Sequence, residues 1–339
     1  MKSGGILLMA ERTDILFIRS YHHALIIFIS AMCMVLFWSY FRIPDGNLLM
    51  VTFSFLAASF LFDVPDWCER LRICLKMAFF TSLVQGTIGI FFRHPFFLIL
   101  FPSILSYLIC RSFRNRYAAC SVLLPGFLGF FAQGGFHPSF NRMVGIFIGT
   151  ISVMLATSLG HLVHFPQYNI PVQDDPFSKT ESFRISFILG AGILLNEIFS
   201  FPQGEWIMLT ILFIYLAVNE THDWGDIASL RIYSVPLGML SGVLFLGSLS
   251  YFNFHFVYLV PLIGVFSFFL MFYTGYYFYF TMFFMMAFTV YSDWATGVLY
   301  QVHVLELILS RSLATVIGVI AVYFGEKLFP DKKLRQGGK

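Results

Sequence analysis

Basic side chains at matched places in otherwise apolar runs are the main chemistry this sequence offers. Arg72 and Arg231 each open such a run, and Lys76 follows Arg72 by one helical turn, on the same face. Arg presents a planar fork suited to carboxylates and keeps its charge throughout the accessible pH range. Arg72, Lys76, Arg231, Arg142 and Arg311 are therefore candidate anion-binding residues. The competing reading is that Arg72 and Arg231 anchor to lipid headgroups and that Lys76 snorkels to the interface. Two carboxylates stand out as candidates for carrying a proton, Glu197 and Asp293. Asp293 is also the expected partner of Arg311, and the competing reading of Glu197 is an outer-interface position.

Other polar groups carry less. His303, Glu306 and Ser310 share one helical face, which suggests an interfacial amphipathic helix ahead of the last apolar run, with a proton relay as the alternative. His22, His23, His161 and His164 have no carboxylates at metal spacing, so no metal and no cofactor is expected. The five cysteines lack Cys-x-x-Cys spacing and fit small buried hydrophobes. Asp66-Trp67 and Asp223-Trp224 fit interface anchoring by Trp and either helix capping or Arg pairing by Asp. No Walker loop, nucleophile elbow, zincin pair or haem signature occurs, so an enzyme is not expected.

The elements that must position these residues follow from composition. Of 339 residues, 58% are hydrophobic and 12% charged, and Phe alone accounts for 44. That is about half the charged share of a soluble domain, so the expected solvent is lipid. A net charge of +3 gives no reason to expect nucleic acid. Apolar runs fall near 24–41, 47–64, 73–92, 95–110, 117–133 and 143–163, then near 185–201, 206–218, 232–250, 255–272, 274–292 and 307–326. They are continuously apolar rather than alternating, which predicts helices and not barrel strands. The expectation is an all-α polytopic membrane protein of about twelve spans. With the N-terminus cytoplasmic, sixteen Lys and Arg fall on inside segments and four on outside segments, predicting both termini inside.

The chain also repeats itself. Phe41, Pro44, Gly46, Met50 and Thr52 match Phe199, Pro202, Gly204, Met208 and Thr210 at one spacing. Further on, Asp66-Trp67 with Arg72 matches Asp223-Trp224 with Arg231, Pro102 matches Pro261, and Arg142 with Gly149 matches Arg311 with Gly318. The order is kept, with an insertion before Arg311. Six spans per unit is even, which predicts two parallel six-helix repeats related by a pseudo-two-fold axis along the membrane normal. The expected organisation is a first repeat over 1–165, a cytoplasmic linker over 166–182, and a second repeat with a basic tail over 183–339. Gly145 with Gly149 and Gly238 with Gly242 have the small-x-x-x-small spacing of close helix crossings.

On these residues the sequence resembles the aromatic acid exporter and fusaric acid resistance superfamily of bacterial inner-membrane proteins. The resemblance rests on Trp206-x-x-x-Thr210 opening a helix, Arg231 opening the next, and Arg311 followed by Ile317-Gly318 in the last. The first half keeps Thr52, Arg72, Arg142 and Gly149 but has Leu48 where Trp would stand. It resembles a compact, membrane-only member, without the cytoplasmic domains of the large ones. The resemblance implies efflux of small aromatic or amphipathic acids and a periplasmic adaptor of the membrane-fusion type. Plant malate channels share the six-helix unit and work as dimers, which implies a covalent pseudo-dimer here and leaves further oligomerisation open. The expected function is a proton-coupled secondary exporter. An anion channel on the same fold and a non-transporting scaffold subunit are the alternatives.

Overall fold

The computed structural model describes residues 25, 26, 29, 53, 54, 56–58, 60, 61, 64, 66–91, 93–127, 136–162, 176–200, 204–217, 224–251, 263, 266, 270, 281, 282, 285 and 304–330. Among them the regular elements are α-helices, eight of which have assigned ranges. They are α1 (Trp67–Phe91), α2 (Pro95–Ser112), α3 (Arg116–Phe127), α4 (Phe136–Leu162), α5 (Lys179–Phe199), α6 (Glu205–Ala217), α7 (Trp224–Tyr251) and α8 (Val304–Leu328). All but α3 and α6 contain an apolar stretch long enough to cross a membrane. At about 1.5 Å per residue, 20 residues cover the roughly 30 Å of a hydrocarbon core. The spans expected at 24–41, 47–64, 255–272 and 274–292 lie largely outside the described residues, as do Thr52 and Asp293.

Local chemistry sets the helix starts. Asp66 caps α1, its carboxylate accepting from the Glu69 N–H at 2.7 Å, and its charge also attracts Arg70, so it serves both as cap and as arginine partner; Asp223 lies outside the described residues. Pro95 stands at the start of α2, where a missing N–H costs no hydrogen bond. A reciprocal capping box opens α5: Ser178 Oγ accepts from the Glu181 N–H, and the Glu181 carboxylate accepts from the Ser178 N–H. Because of this cap, α5 begins at Lys179, inside the stretch expected to be linker, six residues before the apolar run at 185. The end of α5 is marked by Ser200, which takes a left-handed conformation with φ 47°.

Helix pairing places the core. In the first half α1 packs against α4, α3 and α2. In the second, α8 packs against α6, α7 and α5. The halves meet where α2 lies on α5 and α3 on α6. Leu123, Phe127, Ile193, Trp206 and Ile211 of these helices belong to one continuous buried apolar core. Exposed large apolar side chains, among them Phe79, Phe96, Leu155, Phe187 and Leu244, cover the outside, as expected of a lipid-facing surface. The amphipathic helix expected ahead of the last span is instead continuous with it. Glu306 is exposed in the first turn of α8 itself, because the helical run from Val304 carries straight on into the apolar stretch. Cys74, Cys110 and Cys120 are buried as expected, whereas Cys68 is exposed in the first turn of α1.

Candidate functional site

The helices α6 and α8 run side by side in the same direction, and three contacts fix their register. At their N-terminal ends the Arg311 guanidinium lies over the Trp206 ring, 4.9 Å from its centroid. In the middle, Gly318 faces Ile207 and Thr210 so closely that an added Cβ would stand 2.9 Å from the Ile207 carbonyl oxygen. At the C-terminal ends, the Tyr215 hydroxyl donates to Glu326 at 3.1 Å. Glycine at 318 is what lets the two backbones approach this closely. The close approach in turn brings the Arg311 side chain onto the indole.

The N-terminal end of this pair holds an unusual group. Arg311 and Trp206 are both nearly fully buried, and the Glu205 carboxylate, next to Trp206 in the chain, attracts Arg311 electrostatically. Thr210 lies one turn below Trp206, and its buried Oγ1 has no hydrogen-bond partner among the described residues. A cation and an indole face thus meet across two helices. A desolvated cation–π contact contributes about 2 kcal/mol, and carboxylate recognition by Arg is strongest where water is excluded.

The C-terminal end is a closed polar network. Arg184 Nη1 of α5 lies 2.6 Å from Glu326 Oε2 and donates to the Phe329 carbonyl at 3.0 Å. The same guanidinium lies over the Tyr215 ring, 5.8 Å from its centroid. A second network joins the halves. Arg116 grips the Glu181 carboxylate through two hydrogen bonds of 2.7 and 3.1 Å and lies over Phe177, whose carbonyl accepts from Arg111 at 2.8 Å.

The sequence-derived candidates separate into groups. Arg311, Trp206, Thr210 and Gly318 come together as described. Arg231 is buried on α7 with its guanidinium over the Phe213 ring of α6, 4.5 Å from the centroid. Arg142 is 1% exposed on α4, and Gly149 on the same helix accepts a hydrogen bond from Ser54 Oγ at 3.3 Å. The expected basic stripe on α1 splits. Arg72 is exposed, while Lys76 donates to the Ser112 carbonyl at 2.5 Å and lies over Phe113, an arrangement that ties off the end of α2. Arg70, two residues before Arg72, is the buried arginine of that turn and reaches the Val64 carbonyl at 3.4 Å. Glu197 is exposed on α5. Glu205, Arg184, Glu326, Tyr215 and the Arg116–Glu181 pair were not anticipated from sequence. The available signal was a carboxylate beside Trp206 and a lone Glu326 near the end of an apolar run. Neither showed from sequence alone which arginine it would meet, Arg311 or Arg184.

No family model, curated protein or solved structure matches this chain. Fold and apolar surface together define the class: an all-helical protein of several membrane-embedded helices.

Proposed function

We propose that the chain is a secondary exporter of small aromatic or amphipathic organic acids, coupled to the proton gradient of a bacterial inner membrane, with both termini cytoplasmic. The observation that carries this reading is the Arg311–Trp206 pair, buried between α6 and α8 with Glu205 beside it. An aromatic acid has a carboxylate and a ring, and the pair offers a guanidinium and an indole face. Glu205 supplies a resident counter-charge that an incoming carboxylate replaces, which gives proton binding a place in the cycle beside the candidates Glu197 and Asp293. A buried arginine in a membrane helix is costly, by about 2.5–3.5 kcal/mol on insertion scales, and such residues usually mark a pathway or a partner.

Two features support the twelve-span, two-repeat arrangement that goes with it. The α1–α4 and α7–α8 packings join equivalent helices of the two halves. Gly149 meets Ser54 much as Gly318 meets Thr210, so the helix carrying the outer arginine approaches the second helix of its unit in both halves. Arg142 then takes the place in the first unit that Arg311 has in the second. A periplasmic adaptor of the membrane-fusion type is the partner this reading carries.

Efflux of a panel of benzoate-like and phenolic acids from proteoliposomes, with and without an imposed proton gradient, tests the reading. Arg311→Gln should lower gradient-driven export by about tenfold to a hundredfold, the loss of one or two charge-assisted hydrogen bonds. Flux that is fast but indifferent to the gradient would point to a channel. Absence of flux from correctly inserted wild type would count against transport.

A further inference from the structure

The short elbow between α2 and α3 is held by basic side chains from three directions. Lys76 of α1 donates to the Ser112 carbonyl at 2.5 Å and lies over the Phe113 ring. Arg111, in the last turn of α2, donates to the Phe177 carbonyl at 2.8 Å, just ahead of α5. Arg116, the first residue of α3, holds Glu181 in the first turn of α5 at 2.7 Å. The end of α2 is thereby fixed against the start of α5. Lys179 is the first residue of α5, two positions after Phe177. The length of chain between them puts the Lys179 Cα within about 10 Å of the Arg111 nitrogen that bonds the Phe177 carbonyl. A lysine stem covers most of that distance, so one anion can meet both charges.

Carboxylates do not balance this charge. Both Glu181 oxygens are taken by Arg116. Arg111, Arg114 and Lys179 are exposed and meet no carboxylate among the described residues. Asp174 and Asp175 precede Phe177 in sequence, outside the described residues, and the basic groups named here still outnumber the acidic ones. From Arg111 and Lys179 an apolar face runs along the two helices. Ser103 of α2 lies against Gly190 of α5, and Arg111 against Phe177, so α2 and α5 are antiparallel. Exposed Leu108 is then level with exposed Phe183, and Ile104 with Phe187. Because α3 packs on α6 behind the α2–α5 contact, both stripes open on the same outer face.

We propose that this face binds an anionic phospholipid at the seam between the halves, its headgroup held by Arg111 and Lys179 and its acyl chains laid along Leu108, Ile104, Phe183 and Phe187. Arg111 uses one N–H on the Phe177 carbonyl, and its remaining donors form the fork that suits a phosphate. Lys179 adds a point charge, and Arg114 strengthens the field from the elbow. Basic pockets between spanning helices hold anionic headgroups in this way. A zwitterionic lipid carries the same phosphate, but its own cation is repelled by the second basic side chain, so net negative charge is selected. The bound lipid would bridge α2 of the first half and α5 of the second, beside the Arg116–Glu181 pair that already joins them. The site is separate from the Arg311–Trp206 pair and stands or falls independently of the export reading.

The test is thermal unfolding of the detergent-purified full chain, titrated with phosphatidylglycerol or with phosphatidylcholine of the same acyl chains at fixed ionic strength. Saturating phosphatidylglycerol should raise the Tm by about 4 °C, and phosphatidylcholine by less. Lys179→Gln removes an exposed side chain, so the lipid-free Tm should hold while the phosphatidylglycerol midpoint rises about fivefold. Arg111→Gln/Lys179→Gln should raise it about 25-fold. If the double variant does not purify, Lys179→Gln alone decides. Lys327→Gln serves as the control: it removes an exposed charge from the last turn of α8, at the same end of the molecule, and should leave the midpoint in place. Equal effects of the two lipids on wild type would overturn the proposal. So would a shift with Lys327→Gln as large as that with Lys179→Gln, since diffuse surface charge would then account for the binding. Inorganic phosphate giving the same rise as the lipid would overturn the lipid assignment in favour of a free-anion site.

Discussion

Arg311 and Arg184 are both buried arginines at the interface of α8, and they are held in different ways. Arg184 meets a carboxylate, a carbonyl and a tyrosine ring in a closed network, which is how a membrane interior tolerates a charge for structural ends. Breaking a buried pair by removing one partner costs about 3–5 kcal/mol. Glu326→Gln should therefore destabilise the protein strongly in a thermal unfolding assay. Arg184→Met/Glu326→Leu should recover most of that loss, because no buried charge is then left alone. Arg311 is held against an indole with a carboxylate near it, and its loss should appear in transport more than in stability. Trp206→Leu should likewise weaken export of aromatic acids more than of aliphatic ones, read as the ratio of their fluxes. At this scale the repeat in the sequence marked Arg231 and Arg311, both of which are buried, but not Arg184, which is buried as well. On α1 burial falls on Arg70 and not on Arg72, whose exposure fits the headgroup-anchor reading. Both stand within one turn, and only packing decides which of two such residues faces inward. The Glu205 contact was illegible for a similar reason: it joins residues about a hundred positions apart through the α6–α8 register.

Helix starts and close crossings are set by small local groups. The capping box at Ser178 explains why α5 reaches back into a polar stretch, and it also delivers Glu181 to Arg116, so one carboxylate both caps a helix and ties the halves together. Ser178→Ala should cost about 1 kcal/mol, the usual worth of such a cap, in unfolding measurements. Gly318 decides how near α6 comes to α8. Gly318→Ala places a methyl against the Ile207 carbonyl and the Thr210 side chain, both 2.9 Å away. It should cost about 1–3 kcal/mol through overpacking. Export should fall with it, because the same movement lifts Arg311 from Trp206. Apolar runs located α1, α2, α4, α5, α7 and α8 well, since lipid enforces long unbroken helices. The boundaries shifted where caps, not hydropathy, set the first turn, as at α5. At α8 the polar residues around Glu306 belong to the spanning helix itself.

For the molecule as a whole, membrane embedding was legible from composition alone, while the interface between the halves was not. That interface rests on α2 against α5 and α3 against α6, which no periodicity in either half announces. The proposed twelve spans, an even number, predict both chain ends on one side. Single cysteines introduced at Lys2 and Lys339 in a cysteine-free background should both resist a membrane-impermeant thiol reagent in intact cells and both label once the cells are opened. Labelling of just one in intact cells would require an odd number of crossings and would remove the parallel repeat. The claim on which the functional account depends is that Arg311 and Trp206 bind an aromatic carboxylate on its way out. The most direct test is gradient-driven export of such an acid by wild type and by Arg311→Gln in proteoliposomes, with insertion and unfolding temperature measured on the same preparations. The account predicts export by wild type and its loss, by about tenfold or more, in a variant that remains folded. Equal export by a folded Arg311→Gln protein would contradict it.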